Sequence, residues 1–249
     1  MAVSPSSLAR LGLPVSIRAA LFDMDGVLTQ TSALHRSAWK ATFDPILAAA
    51  GQEEFTEREY AAHVDGRRRY DGVRAFLSSR GISLPEGSPS DPPEAETVCG
   101  VGNRKNVAIT RALATEGVRT FPGTVAYLGA VRAAGLATAV VTASANGQAV
   151  LEAAGLGALL DGRIDGVIAA ERNLPGKPAP DTFLAGAELL GVAPEHAVVI
   201  EDAIAGVQAG RNGGFGYVIG VDRLDQRAQL SRAGADVVVA DLAELMERA

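Results

Sequence analysis

Residues 17–28 read Ile-Arg-Ala-Ala-Leu-Phe-Asp-Met-Asp-Gly-Val-Leu. A short apolar run stops at Asp23, and Asp25-Gly26 supplies a tight turn, so the stretch is read as one buried strand followed by a reversal. Beyond it the pattern changes. The segments 34–51, 56–64, 70–81 and 103–117 carry apolar residues three or four apart, and most end at glycine, which predicts helices. Between the last two, residues 82–96 (ISLPEGSPSDPPEAE) are rich in Pro, Ser and acids and read as an exposed loop. From Gly117 onward short β-branched runs alternate with helical periodicity. Strands are expected at Ala137–Thr142, Asp165–Ala169, Ala197–Glu201, Tyr217–Val221 and Asp236–Ala240. Helices are expected near Thr124–Ala134, Gly147–Ala154, Asp181–Leu190 and Ala203–Gly210. Continuous apolar strands alternating with helices imply an α/β fold, a doubly wound parallel sheet covered on both faces. The expected organisation is an α/β core of residues 1–33 and 117–249, interrupted by a helical insertion over residues 34–116.

Composition sets the outer bounds. The chain has 249 residues, 47% hydrophobic and 21% charged, which excludes a disordered polymer. A chain of this length buries roughly three quarters of its unfolded surface and needs no cross-link to stay folded. With 23 Lys plus Arg against 29 Asp plus Glu, the net charge of -6 argues against a nucleic-acid or anionic-membrane binder. No apolar run reaches the ~18 residues of a membrane span. The stretch Met1–Ser16 lacks a basic cluster and a continuous apolar core, so it reads as a short, partly disordered tail and not as a signal peptide. The single cysteine, Cys99, permits no intrachain disulfide and suits a cytoplasmic protein. A monomer is the default expectation.

In an open parallel sheet ligands bind at the carboxyl ends of the strands. Four successive positions there carry polar groups: Asp23-Met24-Asp25-Gly26, Thr142-Ala143-Ser144-Ala145-Asn146, the loop Gly176-Lys177-Pro178-Ala179-Pro180-Asp181, and Glu201-Asp202. Each alone reads as a solvated turn or a local cap. Together they gather carboxylates on one edge, where they repel one another unless a cation sits among them. An all-oxygen donor set favours a hard ion, Mg²⁺. A divalent cation, a free aspartate and a lysine point to phosphoryl transfer, because a carboxylate attacking a phosphate dianion must have its charge offset. The Ser144–Gly147 turn opens a helix whose backbone N–H groups can hold phosphate oxygens.

These four stretches, LFDMDGVL, TASANG, GKPAPDTF and IEDAIAG, resemble the four motifs of the haloacid dehalogenase superfamily, and the helical insertion resembles its C1-type cap. Within the superfamily the chain is most similar to the β-phosphoglucomutase-like group. The resemblance implies that Asp23 is the nucleophile forming an aspartyl-phosphate and that Asp25 is the general acid and base. It implies that Thr142 and Lys177 hold the transferring phosphoryl group, and that Ser144 and Asn146 line the phosphate pocket. Mg²⁺ would be held by Asp23, Glu201, Asp202 and the backbone carbonyl of Asp25. In the cap, His35 stands where the group keeps a histidine contacting the acid/base. Gly72-Val73-Arg74 resembles the loop that reaches the sugar and its distal phosphate, and Lys105 and Asn106 fall in a substrate-contacting segment. The implied activity is conversion of β-glucose 1-phosphate to glucose 6-phosphate, with a sugar-phosphate phosphatase as the alternative.

Three departures stand out. Ala145 occupies the place of a lysine that helps grip the inner phosphate in the mutases, Gln30 replaces an acid, and Ala203 replaces a small hydroxyl residue. Arg67-Arg68-Arg69 is a basic run in an acidic chain, read either as a solvated turn or as a positive rim that steers a sugar phosphate. A receiver-type signalling module is disfavoured by the ~80-residue insertion and by an acceptor on the first strand, since such modules carry neither. A dinucleotide-binding enzyme is disfavoured because Gly100-Val101-Gly102 continues to Lys105 where a third glycine should stand.

Overall fold

The computed structural model describes residues 4–247. In chain order the elements are α1 (Pro5–Ala9), β1 (Ala19–Phe22), α2 (Ser32–Ala49), α3 (Glu57–Glu59, running into a π-helical turn, Tyr60–Val64), α4 (Arg69–Ser79), α5 (Val98–Glu116), α6 (Pro122–Ala133), β2 (Ala137–Val141), α7 (Gly147–Ala153), β3 (Gly162–Ile164), α8 (Gly166–Glu171), α9 (Asp181–Leu189), β4 (Ala197–Glu201), α10 (Ile204–Asn212), β5 (Tyr217–Val221), α11 (Arg227–Ala233), β6 (Val237–Val239) and α12 (Ala243–Glu247). The six strands form one parallel sheet in the order β3-β2-β1-β4-β5-β6. The chain steps from β1 outward to β3, then returns to the other side of β1 for β4. The strand order therefore reverses between β1 and β4, and the crevice above their carboxyl ends is the place such sheets reserve for ligands.

Alternation along each strand builds the two covering layers. Ala20 and Phe22 of β1 pack with Val140, Val198 and Ile200 beneath Tyr127 and Leu128 of α6. Ala19 and Leu21 face the opposite way, with Val141, Val199 and Val218, against Phe183 of α9, Val207 of α10 and Leu230 of α11. A third cluster lies in the helical insertion. There Trp39, Phe43, Phe55 and Phe76 meet with Phe43 at the centre, its ring 4.9 Å from Trp39 and 4.3 Å from Phe76.

The structure corrects three expectations. The strand expected at Asp165–Ala169 lies earlier, at Gly162–Ile164, and residues 166–171 are helix. The cause is Asp165, whose Oδ1 accepts from the amides of Val167 and Ile168, both at 3.0 Å, and so caps α8 and turns an apolar run into a helix. Helix α5 starts at Val98 and not at Asn103. Thr97 caps it by accepting from Gly100 N at 2.9 Å, and the glycines that hid this start sit where the packing leaves no room for a side chain. A Cβ on Gly102 would lie 2.6 Å from the Tyr70 ring. Finally, the expected N-terminal tail is ordered from residue 4, while Met1–Val3 lie outside the described residues. Ser4 caps α1, Leu8, Leu11 and Leu13 are buried, and the Tyr127 hydroxyl donates to Leu11 O at 2.9 Å. Burial of three leucines outweighs the short segment's weak helical tendency. Among the described residues no helix is long and apolar enough to cross a membrane.

Candidate active site

Register delivers the acids. Phe22 pairs with Ile200 on one side and Val140 on the other, so Asp23, Glu201 and Val141-Thr142 emerge at one level of the sheet edge. Asp23 N still donates to Ile200 O at 2.9 Å, which fixes the start of the loop. Asp23, Glu201 and Asp202 are all buried and can each offer an oxygen lying within 4.8 Å of the others. Lys177 comes from the α8–α9 loop, where the Lys177–Pro178 peptide is cis. Its buried ammonium donates to Asp23 Oδ1 at 2.5 Å, Glu201 Oε1 at 2.7 Å and Val141 O at 3.2 Å, and it lies 4.7 Å from the Phe183 ring centroid. Glu201 Oε2 accepts from Ala203 N at 2.7 Å, and Gln226 Nε2 donates to Asp202 O at 3.0 Å.

One ammonium among three buried carboxylates leaves an excess of negative charge. Burial, Glu201 and Asp25 push the Asp23 carboxyl well above the usual carboxylate range, against the pull of Lys177. Burial and the neighbouring Asp65, Glu201 and Asp23 do the same to Asp202. Burial works against the Lys177 ammonium, but Asp23 and Glu201 overcome it and raise its pKa above the ordinary value. The donor set is all oxygen, compact and short of positive charge, which is what a hard divalent cation fits. The turn carrying Asp25 requires glycine next to it: Gly26 has φ +94°, and a Cβ there would lie 1.8 Å from Asp202 Oδ2. Arg223 Nε donates to Gly26 O at 2.8 Å and steadies that turn.

Asp25 is reached from the insertion. Its carboxylate accepts from the Thr31 hydroxyl, and Thr31 is bonded to Thr29 at 2.7 Å. His35 of α2 places Nε2 3.5 Å from Asp25 Oδ1. Its Nδ1 lies 2.9 Å from Lys105 Nζ, which rests 4.9 Å from the Trp39 ring centroid. Burial, then the charge of Lys105, lowers the His35 pKa to about 4, so the ring is neutral near pH 7. As an ammonium Lys105 can only donate, so Nδ1 then accepts and the proton sits on Nε2, facing Asp25. Burial brings Lys105 itself down to about 7, helped by the nearby Arg69 and opposed by Asp25.

A cleft of about 540 Å³ opens between this cluster and the insertion. On the sheet side, Thr142 Oγ1 accepts from Ser144 N at 3.1 Å and Ser144 Oγ from Asn146 N at 3.2 Å, which shapes the turn before α7. Asn146 Nδ2 donates to Asn106 Oδ1 of α5 at 3.3 Å, so the two sides touch there. On the insertion side, Arg74 lines the cleft, but its guanidinium is engaged by Asp71 and Glu86. Arg67, Arg68 and Arg69 line the same wall.

Sequence reasoning passed over Asp65 and Tyr60, which also line the cleft. Burial raises the Asp65 carboxyl to about 7, with Glu201 and Asp25 adding to the rise and Tyr60 opposing it. The signal available was Val64-Asp65-Gly66, an acid beside a turn glycine just ahead of the basic run. Thr31, which binds Asp25, was signalled only by its place ahead of a helix.

Residues 17–214 match the family described as haloacid dehalogenase-like hydrolase. The chain belongs to this family. It is 53% identical over 246 residues to the β-phosphoglucomutase of Mycobacterium bovis, covering 95% of this chain and 94% of that protein. It is 31% identical over 204 residues to hexitol phosphatase A of Escherichia coli, covering 81% and 82%. The crystal structure of a Clostridium difficile β-phosphoglucomutase superimposes with a TM-score of 0.73 over 92% of this chain and 93% of that one, at 24% identity, a likeness of fold. The chain is thus an enzyme of the haloacid dehalogenase-like family, with both a mutase and a phosphatase among its relatives.

Proposed function

We propose that the protein is a β-phosphoglucomutase, moving a phosphoryl group between positions of a glucose phosphate through an aspartyl-phosphate on Asp23. The observation that carries this is the pairing of two half-sites across one cleft. Asp23, Lys177, Glu201 and Asp202 sit on the sheet edge, and the Asp25–His35–Lys105 chain ties the acid/base to the insertion. The 53% identity to a β-phosphoglucomutase over nearly the whole of both chains supports the same reading.

In this reading residues 34–116 act as a cap over a core of 1–33 and 117–249. Asp23, Glu201 and Asp202, with the backbone carbonyl of Asp25, would hold Mg²⁺. When bound, that ion supplies the charge that keeps Asp23 ionised and offsets the phosphate dianion. Asp23 attacks phosphorus, the bond between phosphorus and the sugar oxygen breaks, and Asp25 gives its proton to that oxygen. In the second half a different sugar hydroxyl passes its proton to Asp25 and attacks phosphorus, and the Asp23–phosphorus bond breaks. Lys177 and Thr142 hold the moving phosphoryl group, while Ser144 and Asn146 line its pocket. His35, neutral and protonated at Nε2, orients Asp25. Lys105, Asn106 and Arg74 face the rest of the sugar phosphate. The single cysteine is buried, in keeping with a reducing cytoplasm, and we take the enzyme as a monomer.

The second reading, a sugar-phosphate phosphatase, is favoured by Ala145, a methyl group where the mutases' phosphate-gripping lysine would stand, and by the likeness to a hexitol phosphatase. Turnover of β-glucose 1-phosphate and of hexitol phosphates with Mg²⁺ separates the two. The mutase reading expects glucose 6-phosphate from the first, and little phosphate release from the second. Efficient hydrolysis of the hexitol phosphates with no glucose 6-phosphate would replace it by the phosphatase.

A further inference from the structure

Arg68 is the point at which the insertion grips the loop that carries Lys177. It immediately precedes α4, in an extended conformation. Its NH1 donates to Leu174 O at 2.9 Å and its Nε to Asp71 Oδ2 at 2.6 Å. Its aliphatic stem lies flat on Gly176, the residue before Lys177: a Cβ there would come within 2.6 Å of Arg68 Cγ. Asp71 also binds Arg74, and Arg74 binds Glu86, through Nε at 3.0 Å among other contacts. A chain of alternating charges therefore runs from Glu86 at the edge of the 82–97 loop, through the insertion, to a backbone carbonyl three residues before Lys177. Leu174 is itself tied to the end of α8, where its N donates to Ala169 O at 2.8 Å.

We propose that Arg68 is a positioning residue, a latch that holds the insertion against the 174–177 loop and so couples closure of the cleft to the placement of Lys177. A guanidinium can serve a carboxylate and a carbonyl at once from two nitrogens of one rigid fork, whereas a lysine offers a single point of attachment. Losing the latch frees the 174–177 loop, so Lys177 is held less firmly and the cleft opens more often. Water then reaches phospho-Asp23 and attacks phosphorus, the Asp23–phosphorus bond breaks, and inorganic phosphate leaves in place of transfer to the sugar.

The test uses the full chain as Arg68→Ala, Arg68→Lys and Gly176→Ala, the last pushing the arginine stem away from the core side. Two readouts are taken: amide hydrogen exchange of the segments 65–71 and 172–181, and the ratio of inorganic phosphate to glucose 6-phosphate formed from β-glucose 1-phosphate. Loss of the charge-assisted hydrogen bond to Leu174 O, the one that spans to the loop, predicts exchange and product ratio raised about tenfold in Arg68→Ala. Gly176→Ala should match it and Arg68→Lys should recover only part. Unchanged exchange at 172–181 overturns the latch, as does a raised exchange that leaves the product ratio as in the unaltered protein. The sugar assignment rests on the proposed function and fails separately. If the unaltered enzyme makes no glucose 6-phosphate, that assignment falls and the exchange measurement alone decides whether Arg68 latches the loop.

Discussion

Lys177 is the residue on which the charge balance of the site turns. Its ammonium is the one positive group hydrogen-bonded to both Asp23 and Glu201 among the described residues, and all three are shut away from water. Replacing it by methionine leaves those carboxylates buried without their partner. In the metal-free protein this should cost about 3–5 kcal/mol, read as a lower midpoint in thermal or urea unfolding. Turnover should fall far more than the stability loss explains, since the attacking carboxylate then faces the phosphate without its cation. Lys105 behaves in the opposite sense. Burial lowers its pKa to about 7, so it is a cation below that pH and neutral above it. kcat/KM for the sugar phosphate should therefore decline as pH rises through about 7. In Lys105→Arg, whose charge does not titrate in this range, that limb should disappear; an identical pH profile in the variant would remove Lys105 from phosphate binding. At this scale the sequence was informative where the sheet dictates position. Asp23, Thr142, Glu201 and Asp202 were legible because strand ends in a parallel sheet share one edge. Asp65 was not, and Arg68 stood out only as part of a basic run, because whether a turn between two helices of the insertion faces the core or water is decided by packing that no local pattern records.

Elements rather than residues decide how the cleft is walled. Strands β1 and β4 gain their precision from in-register pairing on buried faces, and the acids inherit it. The insertion has its own source of order, the aromatic cluster around Phe43, which is fully buried and touches Trp39, Phe55 and Phe76. Phe43→Ala should cost about 3–5 kcal/mol locally. If residues 34–116 form a separate cap, amides of α2, α4 and α5 should lose protection while those of β1, β2 and β4 keep theirs. Uniform loss across both would mean one cooperative unit. Two boundaries were hidden from the sequence for element-level reasons. The Val167-Ile168 run has strand-like side chains, but Asp165 caps it into α8, and Gly100 and Gly102 of α5 mark close packing against Ala95 and Tyr70, not an interruption.

At the scale of the whole molecule, the proposed function assigns the chemistry to the sheet edge and the choice of phosphoryl acceptor to the insertion. His35, backed by Lys105, crosses the cleft to Asp25, Asn106 meets Asn146, and Arg68 crosses it to the loop bearing Lys177. Closure of this cleft over a bound sugar would favour transfer to it over transfer to water. The most direct measurement is ³¹P NMR of the purified protein with Mg²⁺, β-glucose 1-phosphate and a trace of glucose 1,6-bisphosphate. The account predicts conversion to glucose 6-phosphate with no free phosphate, lost in Asp23→Asn and lost reversibly when the divalent ion is chelated. Release of inorganic phosphate as the only product, or glucose 6-phosphate still formed by Asp23→Asn, would contradict it.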